Sequence, residues 1–195
     1  MNQVIFVHGA GLDGSCWQYQ TAFFEGSVAV DLPGHGGSTT EAADNVSEYA
    51  EWLGEYARKV SSAPVTLVGH SMGSLVALET AAKNPDIVDK LVLVATAASM
   101  PVHTDLLDAA RQRDAAAAAM VIKWSLPRDP GYGRLKEWVN RLSESFIAAA
   151  ESGVMASDFT ACDTYQDAIT LAEQVRCPTL FLLGEHDKMT KPTAA

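Results

Sequence analysis

The sequence predicts an α/β fold: a three-layer α/β/α arrangement built on a parallel sheet. Three observations predict it. Five short β-branched and apolar runs (4–7, 28–30, 65–68, 91–95 and 179–183) alternate with helix-forming stretches. The runs lack a polar face, as strands covered on both sides do. One of them, Val65-Thr66-Leu67-Val68, leads into Gly69-His70-Ser71-Met72-Gly73 and then an Ala/Leu-rich helix. Where a strand turns that sharply into a helix, side chains beside the turn clash, so glycines flank it. The turn lifts the Ser71 hydroxyl clear of the sheet. It also sets it at a helix N-terminus, where free N–H groups and the helix dipole favour developing negative charge.

In chain order, 4–7 is a buried strand ending in the glycine-punctuated loop His8-Gly9-Ala10-Gly11. Residues 15–24 read as a short helix. The run at 28–30 is a second strand, closed by the turn-rich Asp31-Leu32-Pro33-Gly34-His35-Gly36-Gly37-Ser38. A helix follows over 45–60, with Asn45 as its cap and Glu48 three residues on. Its apolar stripe is Val46, Tyr49, Ala50, Leu53, Tyr56, Ala57 and Val60. The helix after Ser71 spans 72–83 and stops at Asn84-Pro85. After the strand at 91–95 the texture changes. Helix formers fill 105–122, 135–151 and 165–175, with Pro127, Pro130, Gly131 and Gly133 breaking the first from the second. The strand at 179–183 reads as buried and ends in Gly184-Glu185-His186-Asp187. The chain therefore divides into a first core segment (1–99), an all-helical insertion (100–174) and a last core segment (175–195).

With 195 residues, 48% apolar and 19% charged, the chain has an ordinary globular composition. A net charge of −10 argues against a nucleic-acid or anionic-membrane surface. No apolar run is long enough to span a membrane, and the start of the chain does not read as a signal peptide. Cys16, Cys162 and Cys177 are widely spaced and read as free thiols of a reducing, cytoplasmic compartment, Cys162 and Cys177 as packing residues. No His/Cys/carboxylate cluster has metal-ligand spacing, and His8-Gly9-Ala10-Gly11 lacks the third glycine of a dinucleotide fingerprint, so no metal or cofactor is expected. The remaining Asp and Glu read as solvated surface charges. Trp124, Trp138, Phe146, Phe159 and Tyr165 read as the core of the helical insertion.

A sheet order of 2-1-3-4-5 sets the ends of the first and third strands side by side, at a topological switch point where α/β folds form their ligand crevice. The backbone N–H groups of Ala10 and Met72 then face one another as an oxyanion hole, each donor stabilising an oxyanion by roughly 3–4 kcal/mol. Asp187 sits in a turn on the same edge, where the acid partner of a histidine belongs.

Taken together, His8-Gly9-Ala10-Gly11, Asp31-Leu32-Pro33-Gly34-His35-Gly36, Gly69-His70-Ser71-Met72-Gly73 and Gly184-Glu185-His186-Asp187 make the chain resemble an α/β-hydrolase fold protein with a helical cap. The resemblance covers residues 2–192. It implies Ser71 as nucleophile, Asp187 as triad acid, Ala10 and Met72 as oxyanion donors, and a lid that shapes a small-molecule substrate. The implied reaction is cleavage of a small ester, thioester or lactone through an acyl-enzyme. A carbon–carbon hydrolase, perhydrolase or lyase shares the same site, and a non-catalytic ligand receptor is the reading from another class. The serine nucleophile argues against the branches of the family that use aspartate there.

In that family the catalytic histidine follows the acid by a further helix and strand. Here eight residues follow Asp187, and none of His8, His35, His70, His103 and His186 fits the role; His103 alone lies on the lid side. The expectation is a fragment of a longer protein, nearly inert by itself, with an uncovered last strand and exposed apolar helix faces.

Overall fold

The apolar runs become strands that differ in what their two faces touch. A computed structural model describes residues 3–125 and 136–195. The expected break at Pro127, Pro130, Gly131 and Gly133, and Leu135, lie outside the described residues. Strands β1 (Val4–Val7), β2 (Val28–Val30), β3 (Val65–His70), β4 (Val88–Val94) and β5 (Thr179–Leu182) form one parallel sheet in the order β2-β1-β3-β4-β5. Alternate residues face opposite layers. Ile5, Val7, Leu67, Leu91 and Leu93 join helices α2 (Val46–Val60) and α3 (Met72–Lys83) in one core. Phe6 and Val68 join a second core with Leu12, Trp17 and most of the helical stretch between β4 and β5, whose residues Ala161, Cys162, Tyr165 and Ala168 belong to the first core instead.

Helix α2 starts as its sequence requires. Asn45 Oδ1 accepts the Glu48 N–H at 2.9 Å, and Asn45 Nδ2 donates to Glu48 Oε1 at 2.7 Å. Its stripe is narrower than expected at the C-terminal end. Tyr56 is half-buried and stacks on Trp52, Val60 is exposed, and Gly54 is buried against Asn84 instead. The stretch 15–24 is a 3-10 turn (Gly14–Trp17) followed by α1 (Gln18–Phe23), which buries none of its own residues. Strand β4 begins three residues earlier than its apolar run, because a register shift between Val65 and Thr66 brings Val88 into the ladder ahead of charged Asp89 and Lys90.

The helical stretch differs most from its expected form. The span 105–122 is two helices, α4 (Thr104–Arg111) and α5 (Ala115–Ser125). Arg113 between them adopts a left-handed backbone (φ 55°), and Asp114 Oδ1 accepts the Ala116 N–H to start α5. Helix α6 covers Lys136–Ser152. Gly153, at φ 91°, then turns the chain into α7 (Val154–Thr164), a helix where the sequence predicts none. The last helix, α8 (Ala168–Ala172), is shorter than expected. Phe146, Phe159 and Tyr165 are buried, Tyr165 in the core under α3, whereas Trp124 is exposed. Strand β5, whose residues read as those of a buried strand, is exposed along its length, in line with the expected uncovered last strand: among the described residues β4 is its one strand neighbour, and Leu180, Phe181 and Leu182 are 53%, 50% and 48% exposed. Among the described residues no helix is long and apolar enough to cross a membrane.

Replacing Asn45 by alanine removes both halves of the α2 cap. Urea unfolding should show a loss of about 1 kcal/mol with an unchanged denaturant slope.

Candidate active site

Two backbones in contact build the serine turn. Ser71 sits at φ 51°, ψ −123°, a conformation that costs a non-glycine residue on the order of 1–3 kcal/mol. A Cβ on Gly69 would overlap the Gly73 carbonyl, and a Cβ on Gly73 would overlap the carbonyl oxygens of Val7 and His8. Both glycines are thus required by close approach. The turn is pinned by Ser71 N–H to Val94 O (2.9 Å), and by Ser74, whose N–H and hydroxyl both donate to Ser71 O (2.8 and 2.6 Å). Ser74 Oγ also lies 2.8 Å from Thr96 Oγ1. Nothing among the described residues hydrogen-bonds the Ser71 hydroxyl.

Across the crevice, the loop after β1 presses on the turn. A Cβ on Gly9 would stand 3.1 Å from Ser71 Cβ and 3.0 Å from His70 Nδ1. Ala10 follows, and its N–H meets no acceptor among the described residues. Met72 is the first residue of α3, so its N–H has no intrahelical acceptor either. The structure therefore brings Ser71 beside the loop of Ala10, with both N–H groups unspent.

Asp187 lies in the turn after β5, half-buried. Its Oδ1 accepts the N–H groups of Met189 (2.8 Å) and Thr190 (2.9 Å), and its Oδ2 the Thr190 hydroxyl (2.9 Å). Its charge reaches His70: burial lowers the His70 pKa, and Asp187 opposes that shift. The His70 ring packs edge-on against Trp17, with centroids 6.4 Å apart. His103 caps α4, accepting the Asp105 N–H, and is largely exposed; His186 is exposed on the acid turn. Among the described residues no histidine hydrogen-bonds Ser71 or Asp187. An open depression of about 560 Å³ borders Asp187, lined by Leu183, His186, Lys191 and neighbours but not by Ser71.

Behind the crevice lies a set of buried and half-buried polar groups that no local sequence pattern brings together. Asp31 ties two loops, accepting Gly14 N–H on Oδ1 and Gly37 N–H on Oδ2, both at 2.7 Å. His8 Nε2 accepts the Leu32 N–H (3.1 Å), so its Nδ1 carries the proton given to Gly9 O (2.9 Å), and the ring is neutral. Burial, then the neighbouring His35, lowers the His8 pKa to about 4. Asp158, on α7, is fully buried and not the solvated charge expected of it. It accepts from Gly11 N–H, His35 Nε2 and the Tyr49 hydroxyl at 2.7, 2.8 and 3.0 Å. A lone aspartate in an unrecognised helix gave no sequence signal; the weakly amphipathic run 154–164 concealed it. Among the described residues no group of three or more His, Cys, Asp or Glu could hold a metal ion.

Comparison with known proteins places the chain in a family. A family model described as "Alpha/beta hydrolase family" matches residues 4–195. The (E)-2-((N-methylformamido)methylene)succinate hydrolase of Acinetobacter baylyi is 26% identical over 196 residues, 94% of this chain and 72% of that protein. A pimeloyl-[acyl-carrier protein] methyl ester esterase of Vibrio cholerae is 41% identical over 98 residues, 48% of this chain and 36% of that protein. A solved thermophilic esterase superposes with a TM-score of 0.82 at 28% identity, covering 100% of this chain and 74% of its own.

Gly73→Ala forces the Val7 and His8 carbonyls apart. It should cost more than about 3 kcal/mol or prevent folding, read by thermal unfolding. For His8 the folded pKa of about 4 lies below the unfolded value near 6.5. Its contribution is complete above about pH 6.5 and is lost as pH falls toward 4, up to about 3 kcal/mol. His8→Asn should flatten the unfolding free energy across that window; an unchanged slope would remove His8 from the account.

Proposed function

Because the chain belongs to the alpha/beta hydrolase family, we propose that it carries the nucleophile and the acid of a serine hydrolase cleaving a small carboxylic ester, thioester or lactone. One observation carries this reading above the others: Ser71, at positive φ on a strand–turn–helix, with an unspent hydroxyl and with its Cβ packed close to Gly9, the neighbour of Ala10. The names of the relatives, a hydrolase and a methyl ester esterase, and the esterase structure support the reaction class.

In this reading Ser71 Oγ attacks the carbonyl carbon and gives its proton to a histidine oriented by Asp187. The N–H groups of Ala10 and Met72 take up the oxyanion, each contributing roughly 3–4 kcal/mol. The tetrahedral adduct collapses, breaking the bond to the alkoxide or thiolate, which leaves with the histidine's proton. Water then attacks the acyl-enzyme with the same histidine as base, releasing the acid and restoring Ser71. Among the described residues no histidine hydrogen-bonds Ser71 or Asp187, so the test below supplies the base as imidazole. Residues 100–174 act as the cap that shapes the substrate space: Phe146 and Met155 already press on Gly11 beside the nucleophile.

A Ser71 hydroxyl that no described histidine bonds, and an Asp187 carboxylate spent on Met189 and Thr190, favour a second reading, a ligand receptor that keeps the pocket without the chemistry. Incubating the chain with a fluorophosphonate, with and without added imidazole as a surrogate base, separates the two. Mass spectrometry should find a phosphonyl adduct on Ser71, increased by imidazole and absent from Ser71→Ala. Well-folded protein that stays unlabelled at every imidazole concentration sinks the enzyme and leaves the receptor.

A further inference from the structure

We propose that Asp158 is a positioning residue of the site: from helix α7 it fixes the loop that carries the Ala10 N–H and holds His35 beneath that loop as an imidazolium. The proposal rests on the hydrolase reading above, in which Ala10 is an oxyanion donor.

The proton count of the cluster follows from its hydrogen bonds. Asp158 Oδ2 accepts the Gly11 N–H at 2.7 Å and Oδ1 accepts the Tyr49 hydroxyl at 3.0 Å, so the carboxylate is already an acceptor on both oxygens. One proton lies between His35 Nε2 and Oδ2, 2.8 Å apart, and the two donors already aimed at the carboxylate favour its charged form, which puts that proton on Nε2. His35 Nδ1 lies 2.9 Å from Pro33 O, which can only accept, so it must donate as well. A ring with both nitrogens protonated is an imidazolium, and its partner is the Asp158 carboxylate. His8, with ring centroid 4.7 Å from that of His35, is locked neutral by Leu32 N–H and Gly9 O. One of two adjacent buried histidines is thus charged and the other is not, and Asp158 decides which.

The titratable groups against His35 are His8 from the end of β1 and Tyr49 from α2, ring to ring, and Asp158 from α7; Asp31, from the end of β2, acts on His8, and Cys162, one turn further along α7, feels Asp158. Burial opposes a charge on His35, yet the Asp158 field and hydrogen bond hold its pKa above the ordinary histidine range. Burial pushes the Cys162 thiol and the Tyr49 phenol far up, so both stay neutral.

The link to chemistry is Gly11. It follows Ala10 at φ 67°, its N–H is spent on Asp158, and Phe146 and Met155 close off the space a side chain would take. Without the carboxylate acceptor, the buried N–H must find another partner, and the loop shifts. A misplacement of about 1 Å at a reacting centre costs on the order of 100-fold in rate.

The test uses the chain labelled with ¹⁵N. In Asp158→Asn, His35 should be neutral at pH 7, the Ala10 and Gly11 amides should shift, and Gly11 hydrogen exchange should rise at least about tenfold. With imidazole as base, kcat for a chromogenic ester should fall about a hundredfold while KM stays within about threefold. Tyr49→Phe removes one donor but keeps the charge pair, and should leave both amides in place. Unmoved Ala10 and Gly11 amides in Asp158→Asn, or equal movement in Tyr49→Phe, overturns the proposal. Should Asp158→Asn fail to fold, the two amides of the unaltered chain must titrate together with the His35 ring as pH rises; independent titration overturns it too. An unaltered chain without turnover whose amides still respond to Asp158 defeats the hydrolase reading alone.

Discussion

The approach of one backbone onto another at Gly73 is the constraint on which the rest depends. The first turn of α3 lies directly against the Val7 and His8 carbonyls, with no room for a methyl group between them. That contact requires β1 and β3 to be neighbours, in the register that pairs Val7 with Gly69. It leaves Ser71 no conformation but the strained one. It also brings the loop after β1 onto the serine. From there the ladder continues outward: His70 pairs with Val94, and Val94 with Leu182, so the turn holding Asp187 emerges on the same edge. Strain at one residue is held by sheet register across four strands, which is how a fold keeps an outlier that an isolated turn would relax.

A second constraint is electrostatic. Loops that lie between a sheet and a layer of helices bury backbone groups that need partners. Here three side chains supply them. Asp31 serves two N–H groups, His8 serves Leu32 and Gly9, and Asp158 serves Gly11 while joining His35 and Tyr49. A buried ion pair contributes little to net stability against a well-packed apolar substitute, but breaking one half of it is costly, since the other charge stays buried. Such a cluster therefore specifies an arrangement more than it stabilises one. Two histidines from similar His-Gly loops take opposite protonation states because one meets an N–H donor and the other a carboxylate.

The legibility of the chain follows from the range of the interactions involved. The parallel sheet and its order could be read because each strand is a local apolar run and each crossover a local helix. The serine turn could be read because Gly69 and Gly73 record a backbone contact in the residues themselves. The Asn45 cap is local too, and its reciprocal bonds with Glu48 stand as the spacing implied. The helical stretch resisted for the complementary reason. Nothing local marks Arg113 as left-handed, and a five-alanine run propagates helix in either direction, which hid the break before α5. Helix α7 has scarcely any amphipathic face, since it is buried nearly all round; periodicity cannot find such a helix. Asp158 was illegible on both counts, lying in that helix with partners 109, 123 and 147 residues away.

Those long separations bear on how the helices and the sheet divide their work. The loop between β1 and α1 receives three bonds from the helical stretch. Gly11 N–H goes to Asp158, Trp138 Nε1 donates to Cys16 O at 2.9 Å, and the Ser145 hydroxyl donates to Asp13 Oδ2 at 2.7 Å. Helices that only covered the crevice would touch it through apolar side chains, which slide at little cost. Directional bonds to a backbone amide and a backbone carbonyl do not slide. A displacement of α6 or α7 to admit a differently shaped ligand is therefore transmitted to the loop holding Ala10. If Ala10 is an oxyanion donor, the fit of the substrate and the alignment of the hole are one variable, and a ligand that holds α6 and α7 away from the loop is disfavoured in the chemical step as well as in binding.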